Sequence, residues 1–569
     1  MKKLTLTIML LMITTHPLFA GILRVPSEYS TIQGAIHAAR NSDTVLVAEG
    51  TYFENINYRG KNIVVASNYI FTRNVQTIVN TVIDGSHFTN GDSASVAAFL
   101  NNEDSSAVLD GFTLTGGRGT RYQFGANIVQ EGGGIILDSS RATIRNNIII
   151  NNSVVGVPPT NSGGGGGIAT MYGQPRIYNN LIVSNKARYA AGMVLNWSGA
   201  YVKNNIIYHN IGGESYGAGG IMIWKVPANS AFVENNTIVG NISARDAGGI
   251  SIALTGIGVP LVKNTLVWGN RQTIGGQVTM PGYVAYCDVE DYSSGSNFSL
   301  PPSFEEGSFL LQSNSACVDR GDTNTSCLDA PDPANPSSAL FPSRGTRRND
   351  VGAFGGSFAK VLPLLNVFDF YLSNTSPSIR CNVGAVGTIG VEFLNLSSTR
   401  VSVDSIVCGT SLFHVGANMH GRMLGPLEND TIIVSAIPVV AGSFRDTLRI
   451  YHTATGIQNP VRLPVSLTAD PSVGVNLERA LPNKYALNPN YPNPFNPSTR
   501  ISYDVPSTND ISIKLFDMLG REIGTLVRGV HQPGKYSLRW DAQNCASGTY
   551  ICRMQAGAFT QSTKLLLMR

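Results

Sequence analysis

Residues 132–151 contain Gly132-Gly133-Gly134-Ile135 and then Thr143-Ile144-Arg145-Asn146-Asn147-Ile148-Ile149-Ile150-Asn151, and this phrase recurs along the chain. The next copy contains Gly165-Gly166-Gly167-Ile168 and Arg176-Ile177-Tyr178-Asn179-Asn180-Leu181-Ile182-Val183-Ser184-Asn185. Later copies centre on Asn204-Asn205 and Asn235-Asn236, with a weaker one at Asn264-Thr265. The Asn pairs begin at residues 146, 179, 204 and 235, so their spacings are 33, 25 and 31 residues. A repeat of this length that tolerates insertions is typical of a solenoid in which each repeat forms one coil.

The segments between the Gly and Asn residues predict strands. They are three to five residues long and rich in Ile and Val, which is too short for helices. Gly permits positive φ at corners, and Asn tolerates the left-handed region better than other residues with side chains. Stacked coils would bury inward columns of Ile, Val and Leu, and repeated Asn at a corner could hydrogen-bond along the stack. The repeat therefore predicts a parallel β-helix in which the Asn residues are architectural.

The segment before the repeats predicts a helix that plugs the open end of the solenoid. Residues 25–39 form a short amphipathic pattern with Ser30 as the expected N-cap, and Asp43-Thr44-Val45-Leu46-Val47 and Gly50-Thr51-Tyr52 follow. A plug is expected because an open end would expose backbone donors and apolar columns. This phrase resembles the start of right-handed parallel β-helix proteins of the pectin lyase-like superfamily. Residues 315–322 and 349–354 resemble the closing turns of secreted proteins of this kind, so residues 21–356 are expected to form the β-helix.

The N-terminus and the composition restrict the cellular location and the partners. Residues 1–20 combine Lys2, Lys3, an apolar run and Ala20, which predicts a secretory signal peptide. No later segment is long and apolar enough to predict a transmembrane span. The net charge of +4 comes from dispersed charges of both signs, which argues against a nucleic-acid partner.

The seven cysteines of an exported chain can oxidise. Their sequence neighbourhood suggests the pairs Cys317–Cys327, Cys381–Cys408 and Cys545–Cys552, with Cys287 left as a buried residue on a coil. Their spacing does not match a zinc site.

Residues 361–470 predict a β-sandwich. Alternating strands such as Val401-Ser402-Val403 and Thr431-Ile432-Ile433-Val434 are separated by turn residues. The phrases at residues 393–397, 424–426 and 442–448 resemble bacterial Ig-like modules of the abnormal-spindle and HYDIN type. The resemblance implies a structural spacer.

Residues 482–569 carry the most specific resemblance in the chain. Residues 487–499 are rich in Pro and Asn, and strand-like residues 511–517, Leu519-Gly520-Arg521, Trp540-Asp541 and Lys564-Leu565-Leu566-Leu567 follow. The order and spacing resemble the C-terminal sorting domain of the type IX secretion system, which implies a small Ig-like β-sandwich and passage across the outer membrane by the type IX secretion machinery. The complete expectation is an all-β chain: a right-handed parallel β-helix, an Ig-like β-sandwich and a small C-terminal β-sandwich.

The strand after each Gly corner is the natural place for catalytic groups, because enzymes of the pectin lyase-like superfamily work along one sheet. If Ile135 and its equivalents point inward, the outward column is Ile136, Ala169, Val194, Met222 and Ser251. General acid–base chemistry and glycoside hydrolysis need titratable groups, and this column supplies none. The sequence therefore predicts no catalytic residues here.

Aromatic residues occur where these strands end. Residues four positions beyond the inward column include Tyr172 and Trp197, and those three positions beyond it include Trp224. Rings at rung spacing could form a platform for sugars, or they could simply pack over an apolar column. Tyr172, Trp197 and Trp224 are the candidate ligand-binding residues.

Charged residues elsewhere are interpreted as structural. Arg145, Tyr178, Lys203, Glu234 and Lys263 should form an outward salt ladder on the second strand of each coil. No cofactor and no metal site is expected, and calcium at Asp288 and Glu290 is the one exception left open.

The sequence predicts a secreted or surface-attached protein of a Gram-negative-type bacterium. Its expected partner is a polysaccharide or a cell-surface glycan, and a purely adhesive or structural role is the related alternative. The competing class is a lyase or glycoside hydrolase acting on acidic polysaccharides, with acids supplied by loops. The candidates for those acids are Glu131, Asp138, Glu214, Asp246 and Asp288.

Overall fold

The computed structural model of the protein describes residues 20–124, 127–156, 162–214, 216–227, 231–253, 258–272, 276–362, 370–416, 419–454, 457–471, 482–543 and 545–568. The chain divides into two compact units, Met1–Asp470 and Pro471–Arg569. The predicted signal peptide lies outside the described residues except for Ala20. No helix among the described residues has the length and hydropathy needed to cross a membrane.

The first unit begins with a right-handed parallel β-helix, as predicted. Sheet A consists of Ile22–Val25, Thr44–Val47, Val64–Ser67, Val108–Asp110, Thr143–Arg145, Arg176–Tyr178, Tyr201–Lys203, Phe232–Glu234, Leu261–Lys263 and Val284–Ala285. Sheet B consists of Gly50–Tyr52, Thr81–Asp84, Thr113–Thr115, Ile148–Ile150, Leu181–Val183, Ile206–Tyr208, Thr237–Val239, Leu266–Trp268 and Asp288–Val289. Sheet C consists of Ile56–Asn57, Ala97–Phe99, Ile135–Asp138, Ile168–Met171, Met193–Asn196, Ile221–Trp224 and Ile250–Ala253. Sheet D is a narrow fourth face made of Ser153–Val154, Lys186–Ala187, Ile211–Gly212, Ile242–Ser243 and Arg271–Gln272.

One continuous apolar core fills the coils. The inward residue of each sheet C strand joins it, as the period-two alternation predicts; these residues are Ile135, Ile168, Met193, Ile221 and Ile250. Equivalent columns come from the central residues of the sheet A and sheet B strands, such as Ile144, Ile177, Ile149 and Ile182. Sheet C strands also place a second residue in this core, such as Leu137, Leu195, Ile223 and Ile252, so all three sheets of each coil contribute aliphatic side chains.

Two ladders of buried Asn residues run along the corners. The second Asn of each pair donates its side-chain amide to the same residue of the next coil, which links Asn147, Asn180, Asn205 and Asn236 over 3.0–3.2 Å. The second ladder links Asn152, Asn185, Asn210, Asn241 and Asn270 over 2.9–3.0 Å. The first Asn of each pair has positive φ and makes the turn itself. These ladders confirm the predicted architectural role of the Asn residues.

The plug is α1, Ile32–Ala38, which buries Ile32, Ala35 and Ile36. Its N-cap is Thr31 and not the expected Ser30, because the Thr31 hydroxyl accepts a hydrogen bond from the Gly34 N–H. The Glu54 carboxylate also accepts from the first helical N–H groups, at 2.8 Å. Two short helices follow, α2 (Tyr69–Thr72) and α3 (Val75–Asn80), and single 3₁₀ turns lie at Gly85–His87 and Pro281–Tyr283.

The outer face of sheet B forms a second core with the segment that follows the last coil. Ile148, Leu181, Ile206 and Leu266 pack there with Phe298, Phe309, Val351 and Phe354. The corner residues Asn204 and Asn235 fix this closing segment by donating to the carbonyl groups of Ala353 and Asp350. A two-stranded ribbon, Pro331–Asp332 with Asn335–Ala339, extends from the segment.

Two sheets made mostly of antiparallel pairs follow the β-helix in the same unit, and Ser378–Asn382 pairs parallel with Val461–Asp470. One contains Phe370–Leu372, Gly387–Asn395, Phe413–Val415 and Asn429–Ala436. The other contains Ser378–Asn382, Val401–Val407, Arg422–Leu424, Gly442–His452 and Val461–Asp470. They share a core that includes Phe393, Ile432, Leu448 and Leu463. This sandwich contacts the β-helix through Leu427, which joins the sheet B core, and through an Arg271–Glu392 ion pair of 3.0 Å.

All seven cysteines are free, so the three expected disulfides are wrong. Cys317 contacts the Asp288 carboxylate at 3.1 Å, whereas Cys327 lies 3.4 Å from Glu234. Their proximity in sequence does not make the two thiols face each other. Cys287 is buried on a coil, as expected, and its thiol accepts from the Thr265 N–H at the end of the first Asn ladder.

The second unit is a small sandwich of antiparallel sheets, as expected. One sheet contains Ala486–Leu487, Ser498–Val505 and Gly534–Asp541. The other contains Asn509–Phe516, Glu522–His531, Gly548–Ala556 and Phe559–Leu567. Its core includes Phe495, Ile513, Trp540 and Leu565.

Candidate functional site

The outer face of sheet C carries the predicted apolar column, but that column is buried. Ile136, Ala169 and Val194 are fully buried, and Met222 and Ser251 are 3% exposed. An antiparallel hairpin, Gly119–Phe124 with Asn127–Glu131, pairs with Gly163–Gly164 and Ser93–Ala94 beside this face. Tyr122 from the hairpin and Tyr189 from the following coil pack over the column. The column therefore lies on the outer side of the strands, as the alternation predicts, but loop aromatics cover it and close it to solvent.

The layer of side chains that covers sheet C, which we call the cover, also contains the buried carboxyl group of Glu131. The Tyr189 hydroxyl donates to Glu131 Oε1, and Glu131 Oε2 is buried without a hydrogen-bond partner. Burial raises the pKa of Glu131 to about 8. Gly164 makes room for the Tyr189 ring, since a Cβ at this position would lie 2.1 Å from it. Glu131 is thus held inside the cover.

The other acids considered for catalysis are each engaged in local contacts. Asp138 is half-buried and accepts from Ser139 Oγ over 3.1 Å. Glu214 pairs with Arg188 at 3.3 Å, and Asp246 accepts from Ser251 Oγ over 3.0 Å. These contacts occupy the acids with structural partners.

Asp288 and Glu290 have different hydrogen-bond partners. Asp288 is buried, accepts from the Leu300 N–H over 3.1 Å and has a pKa raised to about 7 by burial. Glu290 accepts from Gly269 N–H and Gln277 Nε2 over 2.9 and 2.8 Å. Within the described residues, no group of three or more His, Cys, Asp or Glu side chains is arranged to hold a metal ion.

The aromatic candidates lie at the corner between sheets C and A. Tyr172, Trp197 and Lys225 occupy equivalent positions on successive coils, and all three have positive φ, between 50° and 56°. Hydrogen bonds from Tyr172 N–H to Asn196 and from Trp197 N–H to Trp224 set their spacing, at 2.9 and 3.0 Å. Because the backbone conformation is the same on each coil, the three side chains project from the corner in the same direction. Tyr172 is 42% exposed, and Trp197 is partly exposed.

Trp224 is the last residue of a sheet C strand, one position before the corner, and its ring lies next to the side chain of the corner residue Lys225. The Lys225 ammonium lies 4.9 Å from the centre of the Trp197 ring and 5.9 Å from that of Trp224. These are cation–π distances, so the lysine holds the two indoles together. Trp224 also contacts the edge of the Tyr216 ring at 5.8 Å, and Tyr216 stacks on Tyr189. We call Tyr172, Trp197, Trp224 and Lys225 the tryptophan corner.

Sheet A carries the predicted charged column in the expected register: Arg145, Tyr178, Lys203, Glu234 and Lys263 align rung by rung. Only part of this column forms ion pairs between successive rungs. Lys203 pairs with Glu234, whereas Arg145 pairs with Asp110 and Lys263 with Asp322, at 2.7 and 3.0 Å.

A second outward column on sheet A was missed by the sequence reasoning. It contains Thr143, Arg176, Tyr201, Phe232 and Leu261, two positions before the charged column. The Tyr201 and Phe232 rings stack at 5.0 Å with an interplanar angle of 12°. Period-two alternation along the same strands could have found this column.

Family comparisons identify two parts of the chain. A model described as right-handed beta helix region matches residues 110–266, and a model described as secretion system C-terminal sorting domain matches residues 490–568. No curated protein matches the chain.

Solved structures show only weak overall similarity. A PapD-like domain of human CEP192 is 11% identical, with a TM-score of 0.17, and the match covers 21% of this chain and 97% of that chain. A protein from Porphyromonas gingivalis W83 is 13% identical, with a TM-score of 0.16 and coverage of 35% and 99%. Latent PorU from Porphyromonas gingivalis is 14% identical, with a TM-score of 0.14 and coverage of 36% and 20%. TM-scores this low support no conclusion.

The parallel sheets, the Asn-linked coils and the two family matches agree with one another. The chain is a right-handed parallel β-helix protein with a C-terminal type IX secretion sorting domain, and it is secreted or attached to the outer cell surface.

Proposed function

We propose that this surface protein binds an extended polysaccharide at the tryptophan corner without chemically altering it. The observation that supports the proposal is the pair of indole rings held by Lys225, at 4.9 and 5.9 Å from its ammonium. Flat aromatic faces pack well against the apolar faces of sugar rings, and a fixed ring loses little conformational freedom on binding.

The position of the corner suits an extended ligand. Tyr172 and Trp197 repeat along the axis of the coils, so a linear chain aligned with that axis could meet them in succession. The nearby sheet C face is covered by Tyr122 and Tyr189, which leaves the corner as the accessible aromatic edge of that sheet.

The proposal that the protein does not alter the polysaccharide chemically rests on the contacts of the acidic side chains near sheet C. Glu131 is buried in the cover, while Asp138, Glu214 and Asp246 have local hydrogen-bond or ion-pair partners. General acid–base catalysis requires a titratable group within reach of the substrate, and the local partners of these acids support a role without catalysis.

Affinity electrophoresis of the full chain in gels that contain neutral polysaccharides, such as xylan, glucomannan and mixed-linkage β-glucan, tests the binding. Trp197→Ala and Tyr172→Ala should abolish the retardation given by the bound glycan. Phe71→Ala is the matched control, because Phe71 is an aromatic residue 65% exposed on α2. Equal retardation of wild type and Trp197→Ala would contradict the proposal.

A reducing-sugar and unsaturated-uronate assay on the same panel, with and without calcium, tests the absence of catalysis. We expect no product. Turnover that Glu131→Gln or Asp246→Asn abolishes would replace the binding function with an enzymatic one.

A further inference from the structure

The outer face of sheet A is the long face of the β-helix that keeps polar and aromatic side chains open to solvent. The sheet C face is covered by Tyr122 and Tyr189, and the sheet B face by the closing segment and Leu427. On sheet A, by contrast, Arg176 is exposed and Tyr201 is 40% exposed. A solvent-facing sheet that presents both arginine and aromatic side chains is a candidate interaction surface.

This face contains a groove of about 520 Å³ whose lining includes Arg141, Arg176, Tyr178, Tyr201, Lys203 and Phe358. Phe358 belongs to the closing segment, and its ring lies 6.1 Å from the Tyr178 ring. A second depression of about 260 Å³ shares Tyr201 and Lys203 with the groove and continues it to Phe232 and Lys263. We call the two together the sheet A groove.

The groove is long and follows the helix axis. Its lining side chains run in register from Arg176 through Tyr201 and Phe232 to Leu261. With neighbouring strands about 4.8 Å apart, these four rungs span about 14 Å. The shape fits a linear polymer better than a compact small molecule.

The charge of the groove is positive after its internal ion pairs are counted. Glu234 is paired with Lys203, Asp322 with Lys263 and Asp110 with Arg145. Arg176 has no carboxylate partner among the described residues, and Arg141 has only the electrostatic influence of Asp104. The surplus charge on the lining is therefore cationic.

We infer that the sheet A groove binds a linear polysaccharide bearing carboxylate groups, with Arg176 and Arg141 contacting the carboxylates and Tyr201 stacked on Phe232 supporting the sugar rings. Arg is suited to this role because its planar fork can hold a carboxylate with two hydrogen bonds. This site is separate from the tryptophan corner, and neither site depends on the other.

Retardation of the full chain in gels containing alginate tests the inference. The matched ligand is alginate with its carboxylates esterified by propylene glycol, which keeps the backbone and removes the charge. We expect retardation by alginate that weakens with added salt, and little retardation by the ester. Arg176→Ala should weaken the affinity about tenfold, as loss of a charge-assisted contact would. Arg176→Lys should keep part of it.

Three further variants test whether alginate binds at the sheet A groove and not elsewhere on the protein. Tyr201→Ala should lower the affinity for alginate, whereas Arg40→Ala, an exposed arginine near α1, should not. Trp197→Ala should leave alginate binding unchanged, so failure at the tryptophan corner is distinguishable from failure here. Circular dichroism and thermal melting establish that each variant is folded.

Several outcomes would overturn the inference. One is equal retardation of folded wild type and Arg176→Ala by alginate. Another is equal retardation by alginate and its ester, which would mean that the groove does not recognise charge. Binding of single-stranded DNA as tightly as alginate would assign the surface to polyanions in general and not to a polysaccharide.

Discussion

Asn152 donates its side-chain amide to the Asn185 side-chain oxygen one coil further on, over 3.0 Å. The same amide also donates to the Leu114 carbonyl over 3.2 Å, and the Asn152 side-chain oxygen accepts from the Gly117 N–H over 2.9 Å. One fully buried side chain thereby satisfies backbone groups of the coil before it and is joined to the coil after it. This relationship explains why a polar residue is placed inside a corner of an otherwise apolar stack.

Asn152→Ala should lower the free energy of unfolding by about 3 kcal/mol, because it leaves buried backbone groups of the preceding coil without partners. Asn151→Gly is the matched control. Asn151 is exposed and has a φ of 56°, which glycine adopts readily. Chemical denaturation followed by circular dichroism measures both. Equal loss of stability in the two variants would contradict a specific role for the ladder.

Glu131→Gln should remove part of the pH dependence of stability. Because the folded pKa of about 8 lies above the ordinary value of 4.5, the protonated carboxyl favours folding. That contribution is complete below about pH 4.5 and is lost as the pH rises towards 8. At pH 9, we expect Glu131→Gln to be more stable than wild type by about 2–4 kcal/mol, with little difference at pH 4.

Thermal melts across this pH range would measure the effect. Asp288, Asp329 and Asp350 also have raised pKa values, of about 7, 8 and 7, but they are present in both proteins and cancel in the comparison. Glu28→Gln, at an exposed site, is the control. A parallel pH profile for wild type and Glu131→Gln would show that Glu131 is ionised in the folded protein.

Gly240→Ala should weaken the contact between the β-helix and the sandwich that follows it. Gly240 has a φ of 60°, and a Cβ there would lie 3.2 Å from Leu427 and 3.3 Å from Leu396. Gly295→Ala is the matched control, since Gly295 has a φ of 63° and no heavy atom lies within 4 Å of the position that its Cβ would occupy. We expect Gly240→Ala to cost about 2 kcal/mol more than the control, and earlier proteolytic release of the sandwich. Identical proteolysis would mean that Leu427 can move aside.

Lys225→Met should loosen the tryptophan corner. It removes the cation that lies over the Trp197 and Trp224 rings while keeping a long side chain. The expected loss of stability is about 0.5–1 kcal/mol, with a change in tryptophan fluorescence. Lys186→Met, at an exposed lysine on sheet D, should change neither. An unaltered emission spectrum for Lys225→Met would contradict the contact.

Deletion of residues 482–569 should stop export across the outer membrane. The deletion removes the region that contains the sorting domain match at residues 490–568. We expect the truncated protein to accumulate in the periplasm, where cell fractionation and immunoblotting would detect it. Normal appearance of the truncated protein at the cell surface or in the medium would show that export uses another signal.

The β-helix, the inward columns and the Asn corners could be predicted from the residues alone. These features repeat from coil to coil, so one local pattern of Gly, aliphatic residues and Asn defines every rung. The sorting domain was equally evident, because residues 487–569 hold many characteristic positions in a fixed order. The same repeat predicted that Tyr172 and Trp197 occupy equivalent positions on successive coils, and the hydrogen bonds between those coils agree with this alignment.

Which faces of the β-helix remain open to solvent depends on the packing of the folded chain. Ile136 and Val194 point outward as their alternation requires, yet Tyr122 from the hairpin and Tyr189 from the turn before Met193–Asn196 fold over the column. The closing segment likewise hides sheet B and leaves Arg176 and Tyr201 exposed on sheet A. Alternation fixes the direction of a side chain relative to its own strand, but exposure depends on what long-range packing places above it, and no local pattern encodes that.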